Sequence, residues 1–383
     1  MSDLKKEAFD SDALESDLFE TQEFVLNLGP QHPSTHGVYR ARLVLNGETI
    51  VSAENKIGYL HRGIEKIAEG LTYAQFAPYT TRFDYCSGAL QPWAYALALE
   101  TLGGIEVPER AEYLRVIVGE LQRVASHLIM IASFALDFGA WTPWAYAFNA
   151  REGINNLLEE ISGSRMLVNY IVYGGVNAEV PEGWVERAKA ELDKILYRLD
   201  DFDKVLSGNE IFLGRTKGIV PVSAEEAIEW GFTGANLRAS GVAFDLRKTS
   251  PYSVYDRFAF DMAVIKGEGD CFDRYWLRMM EMRESVKIVR QALEKLPAGE
   301  CRAKVSKVWR PAAGEGYALV EAARGVQGYQ VVSDGSTKPF RVHMRSPSFC
   351  HIGIIPAKAP GITIQDFISF MASLDFVLGE IDR

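Results

Sequence analysis

The sequence predicts an α+β fold, mainly α, in which a helical-bundle core carries β-rich segments at its N-terminal and C-terminal ends. Three observations lead there. From about residue 91 to Leu296, apolar side chains recur at helical intervals through several long runs. Ahead of that stretch lies a hairpin signature. After Pro297 the chain returns to short β-prone runs broken by turn residues. The boundaries drawn are a flexible acidic arm over 1–22, a β-rich N-terminal region over 23–66, the helical core over 67–296, and a β-rich extension with a final helix over 297–383.

Taken in order, Met1 to Thr21 is rich in Asp, Glu, Ser and Lys and has no apolar centre. It reads as a flexible or partner-bound arm and not as a secretory signal. Phe24 to Leu28 reads as a strand. Val38 to Leu45 and Glu48 to Ala53 are β-prone runs joined by Asn46-Gly47, the pair that suits a type I′ turn. Pro108-Glu109 opens a helix carried by Leu114, Ile117, Val118, Leu121, Ala125, Leu128, Ile129 and Ala132. Further helices are predicted over Pro143–Glu160, Trp184–Phe202 and Phe272–Leu296, and Ser223 to Glu226 is a capping box for a short helix ending near Gly231. Strands follow at Tyr317–Ala322, Tyr329–Val332 and Phe340–Met344, then a helix over Ile364–Leu378.

The most membrane-like stretch is Leu128 to Phe148, but Asp137, Gly139 and Pro143 interrupt it, so it reads as a buried helix followed by a break. Membrane attachment is therefore expected through partner subunits, with this chain peripheral on the cytoplasmic side. A net charge of −10 and a pI near 5.3, with no long basic stripe, argue against a nucleic-acid partner. Four cysteines, Cys86, Cys271, Cys301 and Cys350, form no C-x-x-C pair. That spacing supports neither a tetrahedral metal site nor an iron–sulfur cluster held by this chain alone.

Three places carry candidate chemistry. The loop from Gly29 to Gly37 holds His32 and His36, two of the six histidines, between residues that stiffen and bend the backbone. A histidine there is a candidate proton donor or ligand, or else a turn cap. Tyr85, closing Arg82-Phe83-Asp84-Tyr85, is a weak acid suited to protonating a strongly basic oxygen, or a buried tyrosine with a satisfied hydroxyl. Asp137 lies in an otherwise apolar run and must be paired or protonated, as a helix-end salt bridge or as a functional carboxylate. Ile129, Ser133 and Asp137 share a helix face at i, i+4 and i+8, a chamber wall or, for Ile129, core packing.

Seven segments, in order along the chain, carry a resemblance: GPQHPSTHGV from Gly29, IGYLHRGIEK from Ile57, RFDY from Arg82, ALDFGAWTPW from Ala135, LRASGVAFDLRK from Leu237, MMEMRESVKI from Met279 and SLDFVLGEIDR from Ser373. Together they resemble the D-subunit family of respiratory complex I, the proton-translocating NADH:quinone oxidoreductase. The bundle is then expected to be of the hydrogenase-large-subunit type, because that family's fold is related to the large subunit of nickel–iron hydrogenases. The resemblance implies that His36 and Tyr85 flank a quinone head group and protonate it, that Asp137 bonds His36, and that His32, Ser133 and Ile129 line the pocket. It further implies partners: an iron–sulfur subunit carrying the terminal cluster, other hydrophilic subunits, and a membrane subunit forming the quinone channel. Arg62 and Arg82 are expected at the interface with the cluster-bearing partner, with an ordinary surface salt bridge as the alternative.

Within this resemblance the chain binds no cofactor of its own, and quinone is its substrate. Setting Arg82 and Asp375 against the hydrogenase ligand patterns puts Asp84, Ser87, Val377 and Glu380 where four thiolates would be needed. Leu167 stands where many family members have histidine, which is expected to weaken any pH dependence of the neighbouring cluster's potential. The alternatives are a subunit of a related ferredoxin-dependent or hydrogenase-type membrane complex, and a scaffold without quinone chemistry. Which electron donor and which quinone are used is decided by other subunits and by pocket contacts.

Overall fold

The computed structural model describes residues 22–306 and 308–383, so the arm expected over 1–22 lies outside the described residues but for Gln22. Three antiparallel strands, β1 (Glu23–Leu28), β2 (Arg40–Asn46) and β3 (Thr49–Lys56), form the first sheet in chain order. Ala41, Leu43 and Leu45 alternate inward along β2. The hairpin was expected to turn on Asn46-Gly47 as type I′. Asn46 instead pairs with Thr49, and the turn is Gly47-Glu48, with positive φ at Gly47 alone. A bulge between Val44 and Leu45 shifts the register by one residue and so moves the turn.

The helical core comprises α1 (Leu90–Gly103), α2 (Glu109–Asp137), α3 (Trp141–Ser162), α4 (Trp184–Phe202), α5 (Cys271–Glu294) and α6 (Ile364–Leu374), followed by the short α7 (Leu378–Asp382). The central α2, 29 residues long, packs against α3, α5 and α6. It is the one described helix long and apolar enough to cross a membrane, yet 89% of its apolar window is buried within the fold. Its end is chemically legible: Gly139 at φ +73° takes the left-handed position, and the amide of Ala140 returns to the Ala135 carbonyl. The break read between Asp137 and Pro143 is therefore present, although α3 resumes at Trp141, two residues before Pro143. The capping box at Ser223 forms as expected.

The C-terminal helix was expected to reach Leu378. It stops at Leu374, because Asp375 turns left-handed at φ +53°, and α7 starts afresh. Strands β4 (Gly314–Ala322), β5 (Gly325–Ser333) and β6 (Arg341–Arg345) make the second three-stranded sheet. β4 and β5 outrun the predicted segments because they stay paired from Gly314 with Ser333 to Ala322 with Gly325, leaving only Ala323-Arg324 in the turn, while β6 is shifted by one residue from the predicted Phe340–Met344. This sheet lies on α1.

Deep in the bundle sits a charged layer that apolar periodicity does not foretell. Glu281 of α5 accepts from Arg247 (2.8 Å), Arg238 (3.0 Å) and Arg123 (3.5 Å), and lies 3.0 Å from the His127 ring. Glu120 takes Arg247 and Arg123, while Glu321 takes Arg238 at 2.7 Å. All of these groups are buried, and each carboxylate has a guanidinium in contact, the condition under which buried charge is tolerated.

Candidate functional site

The histidine loop is held by its own short-range bonds. A 3-10 turn over Pro33–Thr35 lets the buried Thr35 hydroxyl bridge the His32 and Gly37 carbonyls at 2.7 and 2.9 Å. Glycine is required at Gly29, where φ is +90° and a Cβ would lie 2.0 Å from the Tyr39 carbonyl oxygen. Gly37 lets the loop approach the Leu378 side chain of α7. Between them His36 adopts φ +50°, a conformation that costs a non-glycine residue energy and persists only where its surroundings hold it.

What holds it is Asp137. His36 Nε2 lies 2.8 Å from Asp137 Oδ2, with the two side chains only 18% and 8% exposed. Asp137 is the last residue of α2, where the helix dipole disfavours negative charge, so a cationic partner there is worth more than on an open surface. The pairing leaves Nδ1 as the ring nitrogen not committed to Asp137.

His36, Asp137 and Tyr85 line one cavity of about 410 Å³. Ile129, Ser133 and Leu136 of α2 form one wall, and Asp375, Phe376 and Val377, between α6 and α7, form another. The Ser133 hydroxyl turns back to the Ile129 and Met130 carbonyls, both at 3.0 Å, so it is satisfied within its own helix. Burial pushes the Tyr85 phenol up to about 12, with Cys86 and Asp84 adding to the effect. The Cys86 thiol is likewise pushed up by burial, to about 12, which keeps it a protonated, weakly reactive wall group.

Not every expected residue comes to this cavity. His32 is exposed, takes the Ser34 amide on its own Nδ1 at 3.2 Å, and is not among the lining residues. The reason is the tight turn, which points the two loop histidines to different surroundings. Arg62 is exposed and Arg82 half-buried; Arg62 donates to the Arg82 carbonyl at 3.2 Å, and neither forms an ion pair among the described residues. Leu167, at φ +55°, lies against Gly88 just past the Tyr85 turn.

Sequence reasoning missed Arg324. It sits in the two-residue β4–β5 turn, where an arginine ordinarily reads as solvated, yet it is buried and lines the cavity. Its guanidinium donates to Asp84 (2.7 Å), Ser126 (2.9 Å) and Asp375 (3.1 Å). Although burial opposes its charge, Asp375 and Asp84 hold it firmly protonated. Ser87 donates to Asp84, and Glu380 and Val377 flank the same place. Of the four positions aligned with thiolate ligands, Asp84, Ser87 and Glu380 present oxygen and Val377 a hydrocarbon, gathered about a fixed cation. Such a set lacks the soft thiolates that hold a nickel–iron centre.

Comparison with known proteins places the chain in context. The family described as "Respiratory-chain NADH dehydrogenase, 49 Kd subunit" matches residues 137–312 and 303–383. The chain is 55% identical over 365 residues to the D subunit of the NADH-quinone oxidoreductase of Carboxydothermus hydrogenoformans, covering 95% of this chain and 100% of that one. It is 52% identical over 363 residues to the protein of the same name from Clostridium beijerinckii, covering 95% and 98%. Against that of Bacillus mycoides the identity is 48% over 366 residues, covering 95% and 100%.

Proposed function

The chain belongs to the family of the respiratory-chain NADH dehydrogenase 49 kDa subunit, and from that premise we propose that its cavity is where the quinone head group is bound and protonated. One observation carries this reading. His36 and Tyr85, 49 positions apart in sequence, line the same chamber, with His36 backed by Asp137.

Reduction of quinone to quinol takes up two electrons and two protons, and unneutralised charge on an enclosed quinone is costly in a low dielectric. In the proposed cycle the electrons come from a terminal iron–sulfur cluster in a partner protein, whose docking face includes Arg62 and Arg82. The protons come from this chain. His36, as imidazolium stabilised by Asp137, gives one to a quinone oxygen, and Tyr85 gives the other. Both are refilled from solvent. Loss of the imidazolium proton leaves Asp137 without its cationic partner at the end of α2, the charge change by which the chemistry would be communicated to a membrane subunit. The chain itself is proposed to sit peripherally on the cytoplasmic face of the membrane.

Asp137→Asn tests the pairing. It keeps a hydrogen-bonding side chain of the same shape but removes the charge, and turnover is expected to fall about tenfold, equivalent to about 1.4 kcal/mol added to the activation barrier. The measurement is quinone reductase rate and proton translocation in membranes whose assembled complex has been quantified. An assembled variant with normal turnover and normal pumping refutes the role.

A further inference from the structure

In the cavity wall and behind it lies a set of ionisable side chains that form no hydrogen bond with His36, Tyr85 or Asp137 among the described residues. Two guanidinium groups, Arg324 and Arg278, face three carboxyl groups, Asp84, Asp375 and Glu380, all buried. Arg324 takes Asp84 and Asp375. Arg278 Nε lies 3.6 Å from Asp375 Oδ2, and its other donors go to Asn236 Oδ1 and to the Arg274 and Ser373 carbonyls. Glu380 forms no ion pair among the described residues. Its Oε1 accepts the Ser348 amide at 3.1 Å, while its Oε2 is buried without a hydrogen-bond partner among them.

Contact geometry decides the state of Glu380. Arg324 is taken by Asp84 and Asp375 and the nearest carboxylate to Arg278 is Asp375, so ionising Glu380 would bury a carboxylate with no ion pair among the described residues, and a carboxyl group so placed keeps its proton. The groups facing Glu380 agree with this: Asp84 from the turn before Tyr85 is a like charge, Tyr329 of β5 is a neutral phenol, and Arg324 is already shared by Asp84 and Asp375.

We propose that Glu380 is a positioning residue that holds a proton at rest, keeping the Arg324 cluster free of a third negative charge and so setting the positive field that Arg324 presents to the cavity. The effect on turnover rests on the quinone-site reading; the protonation state itself does not. Burial first, and Asp84 second, carry the titration of Glu380 up to about 8. Below that pH the group is neutral. Above it the cluster gains a negative charge beside the cavity, electron uptake there is opposed, and turnover declines.

The test uses the assembled complex with wild-type chain, Glu380→Gln and Glu380→Asp. Infrared spectra of the wild type are expected to contain a carboxylic-acid C=O band that bleaches as pH rises through about 8 and is missing in Glu380→Gln. The ratio of alkaline to neutral turnover is expected to fall in the wild type, approaching about tenfold per pH unit, and to stay level in Glu380→Gln. Glu380→Asp restores a titrating group, so it returns both the band and the decline, and it decides the matter if Glu380→Gln does not assemble. Absence of the band overturns the proposal. So does a band whose removal leaves the alkaline decline unchanged. Failure of the quinone reading is recognised separately, by full activity in a Tyr85 variant that still shows the band.

Discussion

Tyr85→Phe in the assembled complex is expected to lower quinone reductase turnover by roughly 100-fold or more, the range lost when a positioned general acid is removed. The substitution keeps the ring that lines the cavity and deletes only the hydroxyl. The energetic logic follows from burial. With its phenol pushed up to about 12, Tyr85 does not ionise at physiological pH, so it is present as a donor whenever the quinone oxygen becomes basic on reduction. A phenylalanine leaves that oxygen to acquire its proton from water, with no positioned donor in place of the phenol. The split between kinetic constants identifies the role: loss concentrated in kcat marks a proton donor, whereas a raised KM with unchanged kcat marks a wall that merely binds. Retention of wild-type kcat by assembled Tyr85→Phe would end the protonation account.

Glu281→Ala is expected to prevent stable accumulation of the chain. Glu281 is the carboxylate on which Arg123, Arg238, Arg247 and His127 converge, and breaking one partner out of a buried ion pair costs about 3–5 kcal/mol. Here three guanidinium groups would lose a shared counter-charge at once. Glu281→Gln, which keeps shape and some hydrogen bonds, is expected to be intermediate. The sign with pH follows from the direction of the shift. Burial opposes ionisation, but Arg238 and Arg123 overcome it and hold Glu281 well below the ordinary 4.5. Its stabilising contribution is therefore fully present above 4.5 and is lost as pH falls beneath that value. Chain abundance and the midpoint of acid unfolding are the measurements, and a normally accumulating Glu281→Ala would show that the arginines find other partners.

The two predictions concern residues of very different legibility. Tyr85 could be singled out because it lies within a short segment whose order and neighbours match a known family, and the loop holding His36 announces itself through Gly29, Pro30, Pro33 and Gly37. The pairing of His36 with Asp137 was legible only through that resemblance, since the two are 101 positions apart. Nothing local marks Glu281. In the run Met279 to Ile288 it is one acidic residue among Arg283, Glu284 and Lys287, and those three carry their ion pairs at the surface or in partial exposure. Arg324 is the sharper case, a cation in a two-residue hairpin turn that faces the cavity because α2 and the segment after α6 close over it.

Helix α2, the break at Gly139, the capping box at Ser223 and the inward alternation of β2 were all written in residues within a few positions of one another, because propensity, capping and periodicity act over one turn or one pleat. The exclusion of His32 from the cavity, the left-handed stop at Asp375, the enclosure of Arg324 and the burial of Glu380 with no ion pair among the described residues came only with assembly. Desolvation and charge pairing belong to the arrangement of elements in space, and a carboxyl group is solvated or stranded according to neighbours hundreds of residues away.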